Sequence, residues 1–192
     1  MSNATKIPTK ICVTGRLSYA AIFEPTSFEG QDPKYSTAIL IPKDDTKTID
    51  LIQKAVAAAT EEGKTKYWKG KTPVMRYPVL RDGDEERPDD ETYAGHYWIN
   101  AKSKNAPQVV LRHRDPATGR AAQATEQDVY SGCYANVMVN FYPYDMAGNR
   151  GIGAGLGNIQ KLKDGERLAG GSSAEDDFEF EDEVLTDDDF LS

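Results

Sequence analysis

Apolar and polar positions alternate with a period of two through the N-terminal part of the chain, so strands are expected there. Thr9-Lys-Ile-Cys-Val-Thr precedes Gly15. Arg16 to Glu24 follows with Leu17, Tyr19, Ala21 and Phe23 on one face, and Pro25 stops it. Tyr35 to Ile41 is β-branched and apolar enough to be a central strand, ended by Pro42. The three segments suit a meander. The period then changes to helical. Ile49, Ile52, Val56 and Ala59 predict a helix from about Asp45 to Glu62, with Asp44, Asp45 or Thr46 as its cap and Gly63 as its stop.

Strand character returns at Tyr97-Trp-Ile-Asn-Ala-Lys and at Val109-Val-Leu-Arg-His-Arg, which runs into a turn at Asp115-Pro-Ala-Thr-Gly. Tyr134 to Tyr142 is the clearest strand in the chain. Ala135, Val137, Val139 and Phe141 form its core face, and Tyr134, Asn136, Met138, Asn140 and Tyr142 its amphipathic face. After a turn at Asp145 to Arg150, glycine takes every second position at Gly151, Gly153, Gly155 and Gly157, opposite Ile152, Ala154 and Leu156. Such a face admits a backbone or ligand at close range, or a sharp barrel bend, and the bend is the favoured reading. Many short strands, one helix and frequent turns predict a small closed β-barrel.

Charge changes this picture at the C-terminus. Residues 172–192 hold ten Asp or Glu and no Lys or Arg, behind Gly170-Gly171-Ser172-Ser173, and end Thr-Asp-Asp-Asp-Phe-Leu-Ser. The whole chain has 23 Lys and Arg against 31 Asp and Glu, so residues 1–171 carry 23 basic against 21 acidic side chains. The acidic balance belongs to the tail. This composition cannot bury a core, which divides the chain into a flexible N-terminus over 1–9, one domain over 10–168 and a disordered acidic tail over 169–192. Met1-Ser-Asn-Ala-Thr-Lys lacks a signal peptide's apolar region and no apolar run reaches membrane-span length, so a soluble, cytoplasmic protein is expected.

Catalytic chemistry finds little support. Gly151 and the glycines after it miss the dinucleotide spacing in either register, because Leu156 and Asn158 occupy the third glycine position. Cys12 and Cys133 lie in apolar strand-like runs and read as buried structural thiols; with two His they give no zinc ligand set. Asp82, Asp84 and Glu86 could hold a divalent ion in a nuclease, although the spacing is unspecific and Arg81, Arg87 and Pro88 stand among them. No metal, cofactor or enzymatic activity is expected.

Binding chemistry is better represented. Single-stranded nucleic acid is held by a positive groove along its phosphates and by rings on which bases stack. Lys64, Lys66, Tyr67, Trp68, Lys69 and Lys71 supply both, followed by Arg76 and Tyr77; Tyr97, Trp98, Lys102, Lys104, Arg112 and Arg114 repeat the combination. Trp68 and Trp98 are the expected stacking platforms.

Several ordered segments resemble a family of tailed-phage single-stranded DNA-binding proteins. They are Arg16-Leu-Ser-Tyr-Ala-x-x-Phe-Glu-Pro, Pro33-Lys-Tyr-Ser, Ile39-Leu-Ile-Pro-Lys, Leu80-Arg-Asp-Gly-Asp-Glu, Ile99-Asn-Ala-Lys-Ser, Ser131-Gly-Cys-Tyr and the glycine strand, here ending Gly155-Leu-Gly-Asn-Ile. The resemblance implies an OB-fold, a five-stranded Greek-key barrel with one principal helix, that coats single-stranded DNA in phage replication and recombination. It also implies that the tail regulates DNA binding and recruits replication or recombination proteins through Asp187, Asp188, Asp189 and Phe190. In this chain Leu191 and Ser192 follow the aromatic, so the terminal carboxylate is not on it. A metal-dependent nuclease at Asp82 to Glu86 and a non-DNA-binding adaptor are the alternatives, and a homo-oligomer is left open.

Overall fold

A computed structural model describes residues 7–27, 29–75 and 77–168. Arg76 and the tail residues Asp187, Asp188, Asp189 and Phe190 lie outside the described residues, as do 1–6. The first two predicted strands are one. β1 (Lys10–Thr26) runs unbroken through Gly15 and pairs antiparallel with β2 (Lys34–Pro42) on one side and β7 (Tyr134–Met146) on the other. β2 pairs antiparallel with β4 (His96–Ser103), and β7 with β8 (Asn149–Lys163). The ring closes where β4 meets β8 in parallel at Lys102 and Gly155. A meander of three strands closed by a parallel partner is OB-fold connectivity, as the sequence implies.

The core follows from period two. Ile11, Val13, Leu17, Ile39, Ile41, Ile99, Ala101, Val137, Val139 and Phe141 all point into the barrel and are buried. Register shifts in β1 and β8 change this parity. In β1 the pairing slips between Ser18 and Ala21, and Tyr19 adopts a left-handed φ of 48°. The inward position passes to Ile22, so Tyr19 is 64% exposed instead of sharing a core face with Leu17. In β8, Val137 opposes Ile159 while Val139 opposes Leu156, so three residues answer two and Ile159 continues the core after Leu156. Cys133 is buried as expected. Cys12 is exposed, because it shares the outward parity of Lys10 and Thr14.

Helix α1 (Thr46–Lys66) starts where expected, its Thr48 N–H donating to the Asp45 carboxylate at 3.2 Å. It packs against β7 and β1 through Ile52, Ala55, Ala59 and Gly63. Gly63 does not stop the helix. It is a seat for Trp68: a Cβ there would come within 2.4 Å of the indole, and the Trp68 N–H folds back to the Gly63 carbonyl at 2.9 Å.

Outside the barrel, β3 (Arg81–Asp82) adds to the edge of β4 and the short α2 (Gly83–Glu86) follows it. The segment to Gly95 folds over the outer face of β2 and β4, where Ala38, Leu40, Tyr93 and Trp98 make a second small core. This explains why β2 is apolar on both faces. β5 (Val109–Arg114) and β6 (Ala121–Gln123) form a hairpin attached to β8 through Val109 and Val110.

Candidate nucleic-acid interface

The glycine alternation of β8 finds its purpose across the β7–β8 hairpin. Register places Tyr142 opposite Gly153 and Tyr144 opposite Gly151. A Cβ on Gly153 would lie 2.4 Å from Tyr142 Cζ, and one on Gly151 would lie 2.8 Å from the Tyr144 hydroxyl. The missing side chains therefore let two tyrosine rings lie across the strand. Their centroids are 6.5 Å apart at 55°, and Tyr142 remains 44% exposed.

These rings form one wall of a groove of about 410 Å³ along the β4–β8 seam. Lys102 and Lys104 rise from the end of β4, Lys34 from the start of β2, and Tyr77 and Arg81 from the segment leading into β3. No carboxylate among the described residues forms an ion pair with Lys34, Lys102 or Lys104. The groove thus combines ammonium groups that are unpaired among the described residues with aromatic surface, the pairing that sequence-independent single-strand recognition needs.

A ladder of arginines and rings leads away from it over the outer face of β4. Arg81 lies between Tyr77 and Trp98, its guanidinium 4.8 and 4.5 Å from the two centroids. Arg87 lies 5.0 Å from the Trp98 ring and reaches Tyr93 at 4.7 Å and the exposed Tyr19 at 5.4 Å. At the Tyr19 end lies Leu168, in a small cleft with Ser18, Asp90, Thr92 and Tyr93. The chain reaches that point through a pinned strap: Arg16 donates to the Gly132 and Glu166 carbonyls at 3.0 and 2.7 Å, and the Leu168 N–H to Ser131 O at 3.0 Å.

The model of the Enterobacter phage Enc34 ssDNA-binding protein family matches residues 7–191 of this chain. The chain belongs to that family. It is 35% identical over 165 residues to protein p50 of Acyrthosiphon pisum secondary endosymbiont phage 1, covering 83% of this chain and 85% of the relative. Its fold is similar to the single-stranded DNA-binding protein of bacteriophage Enc34, solved in complex with ssDNA: TM-score 0.71, 23% identity, 88% of this chain and 97% of that one. Gp2.5, a single-stranded DNA-binding protein encoded by bacteriophage T7, is similar at TM-score 0.50 and 17% identity, covering 85% of this chain and 97% of its own.

Within this Enc34-type chain the residues singled out from sequence separate. Tyr77, Lys102 and Lys104 meet in the groove. Trp68 and Trp98 do not offer stacking surfaces, since each is 4% exposed; Trp68 packs on Gly63 and donates from Nε1 to Tyr144 O, and Trp98 belongs to the outer core. Tyr97 faces α1 and lies under the Lys43 ammonium. Lys64 and Lys66 pair with Glu61 and Glu62 on their own helix, while Tyr67, Lys69 and Lys71 are exposed beyond the helix end. Arg112 and Arg114 are exposed on β5, outside the five-stranded ring. Lys34, Arg81, Arg87, Tyr19, Tyr142 and Tyr144 were not singled out. Pairing Tyr142 and Tyr144 with the glycines across the Asp145 to Arg150 turn was the signal for the last two.

The acidic loop serves a structural end. Lys43 lies 2.8 Å from Asp82 and 2.7 Å from Asp84, the second Asp84 oxygen accepts from Gly95 N, and Arg81 meets Glu86 at 2.5 Å. Hydrogen bonds from Lys43 hold both aspartates below the ordinary carboxylate range, and the two aspartates hold the Lys43 ammonium above the usual lysine range. Among the described residues no three His, Cys, Asp or Glu side chains converge as a metal site. The depressed carboxylates contribute stability that is present at neutral pH and lost as the pH falls below about 4. Lys43→Met is therefore expected to lower the melting temperature at pH 7 and flatten its decline in acid. Oligo-dT affinity should stay as in wild type; an unaltered acid limb would contradict the ion-pair assignment.

Proposed function

We propose that this chain binds single-stranded DNA along the β4–β8 groove, without base specificity and without cutting it. The observation that carries the reading is the convergence of Lys34, Lys102 and Lys104 with Tyr77, Tyr142 and Tyr144 on one face of an OB barrel. Phosphates would follow the ammonium groups and bases would stack on the exposed rings. Coating of this kind would serve phage DNA replication and recombination in the host cytoplasm. Titration with labelled oligo-dT and the matching duplex should give tighter single-strand binding that weakens with salt. Equal affinity for both, or cleavage that needs magnesium and is lost in Asp82→Asn, would overturn the reading.

The tail adds regulation. Leu168 leaves the described chain at the Tyr19 end of the arginine ladder, and the ten acids of residues 172–192 follow it in sequence, tethered to the cationic face they would compete for. Displaced by DNA, Asp187, Asp188, Asp189 and Phe190 would become available to replication or recombination proteins.

A further inference from the structure

The β5–β6 hairpin carries charge that the groove does not use. Residues 112–114 and 116–121 are exposed, so the arm stands clear of the barrel ring. It holds three arginines, Arg112, Arg114 and Arg120, against one carboxylate, Asp115. That carboxylate is committed to the turn, where it accepts from the Ala117 N–H at 2.8 Å. Arg114 donates to the Gly119 carbonyl at 2.9 Å and the Asp115 N–H to the Arg120 carbonyl at 2.8 Å, which fixes the shape of the tip. No carboxylate among the described residues forms an ion pair with any of the three guanidinium groups.

Strand β8 joins this arm to the groove. Lys102 of β4 lies opposite Gly155 on the outer face, and Val110 of β5 lies opposite Gln160, whose side chain accepts from the Asn136 amide at 3.1 Å. Val109 and Ile159 are the buried pair beneath. Arg112 and Arg114 follow Val110 at the next alternate positions of β5. Five residues of β8 and four of β5 thus separate Lys102 from Arg114, about 30 Å at about 3.3 Å per residue. We infer, on the reading that single-stranded DNA occupies the groove, that the strand leaves it along the outer face of β8 and ends on Arg112 and Arg114. The hairpin is then a second phosphate-binding site. A stacked strand with a phosphate about every 3.4 Å sets roughly nine phosphates on this path, within the roughly 4–16 nucleotides that one OB barrel covers. Charge selects this route over the arginine ladder. From Lys102 to Arg114 the chain holds four Lys or Arg and no acid, and residues 134–144 of β7 and all of β8 add none. The segment that covers the ladder, Asp82 to Glu91, holds seven Asp or Glu.

The test measures affinity for oligo-dT of about 5 and about 15 nucleotides at about 50 and about 200 mM salt. Arg112→Ala with Arg114→Ala should leave the short oligonucleotide bound as by wild type. It should weaken the long one roughly tenfold at the higher salt and about sevenfold more at the lower, because two lost phosphate contacts make the log–log slope shallower by about 1.4. Arg112→Lys with Arg114→Lys alters the hydrogen bond to Gly119 but keeps both charges, so it should restore the long-oligonucleotide affinity. A loss in both pairs would assign the arginines to the shape of the hairpin and overturn the phosphate site. Equal weakening of short and long oligonucleotides would make the hairpin part of the groove contact, against the extended route. Tyr19→Ala should bind both lengths as wild type does; a loss there for the long one, with none in the arginine pair, would send the strand over the ladder. Lys102→Ala with Lys104→Ala should weaken both lengths. If that pair changes neither, the groove reading itself fails and the route out of the groove falls with it.

Discussion

Replacing Tyr142 by Ala should weaken oligo-dT binding by roughly 5- to 150-fold, the range for loss of one base–aromatic stack of about 1–3 kcal/mol. The ring is 44% exposed and lies over Gly153, so its removal opens no core cavity and the melting temperature should change little. Gly153→Val reaches the same end from below. A side chain there meets Tyr142 Cζ at 2.4 Å and lifts the ring off the strand, costing affinity and about 1–3 kcal/mol of stability by overpacking. Tyr67→Ala is the control, because Tyr67 is 50% exposed at the end of α1 and does not line the groove. A loss in Tyr67→Ala with none in Tyr142→Ala would move the stacking surface to the lysine-rich segment after the helix.

Removal of residues 172–192 should tighten binding about tenfold at 10 mM salt and much less at 150 mM, as the screening length falls from about 30 to 8 Å. The sign follows from like chemistry: ten tethered carboxylates and a DNA backbone seek the same ammonium groups. Thermal stability should be retained, since the main core cluster is built from residues between Ile11 and Ile159. Isothermal titration of both forms across a salt series measures the effect. Weaker binding by the shortened chain at low salt would show that the tail assists DNA binding.

Period-two patterning located β1, β7 and β8, where one face is buried, and a continuous apolar run located β2, which is covered on both faces. The same patterning misplaced Tyr19 because a bulge shifts parity by backbone conformation, which leaves no mark on the hydrophobic order. Gly63 looks like a helix stop for a similar reason: whether a glycine ends a helix or seats a ring depends on Trp68, which returns to it through tertiary packing. The site was the least legible part. Lysines that cluster along the sequence at 64–71 are divided between ion pairs on α1 and a separate exposed end, and their tryptophan belongs to the core. The groove instead gathers Lys34, Tyr77, Lys102 and Tyr142 from four distant segments, which meet only because β4 closes on β8.

That division supplies the most direct test. Oligo-dT affinity measured over a salt series for Lys102→Ala with Lys104→Ala should show a log–log slope shallower by about 1.4, as each neutralised single-strand phosphate contributes about 0.7. Lys69→Ala with Lys71→Ala should leave the slope as in wild type. A shallower slope in the second pair and an unchanged one in the first would contradict the groove and place the DNA beyond the end of α1.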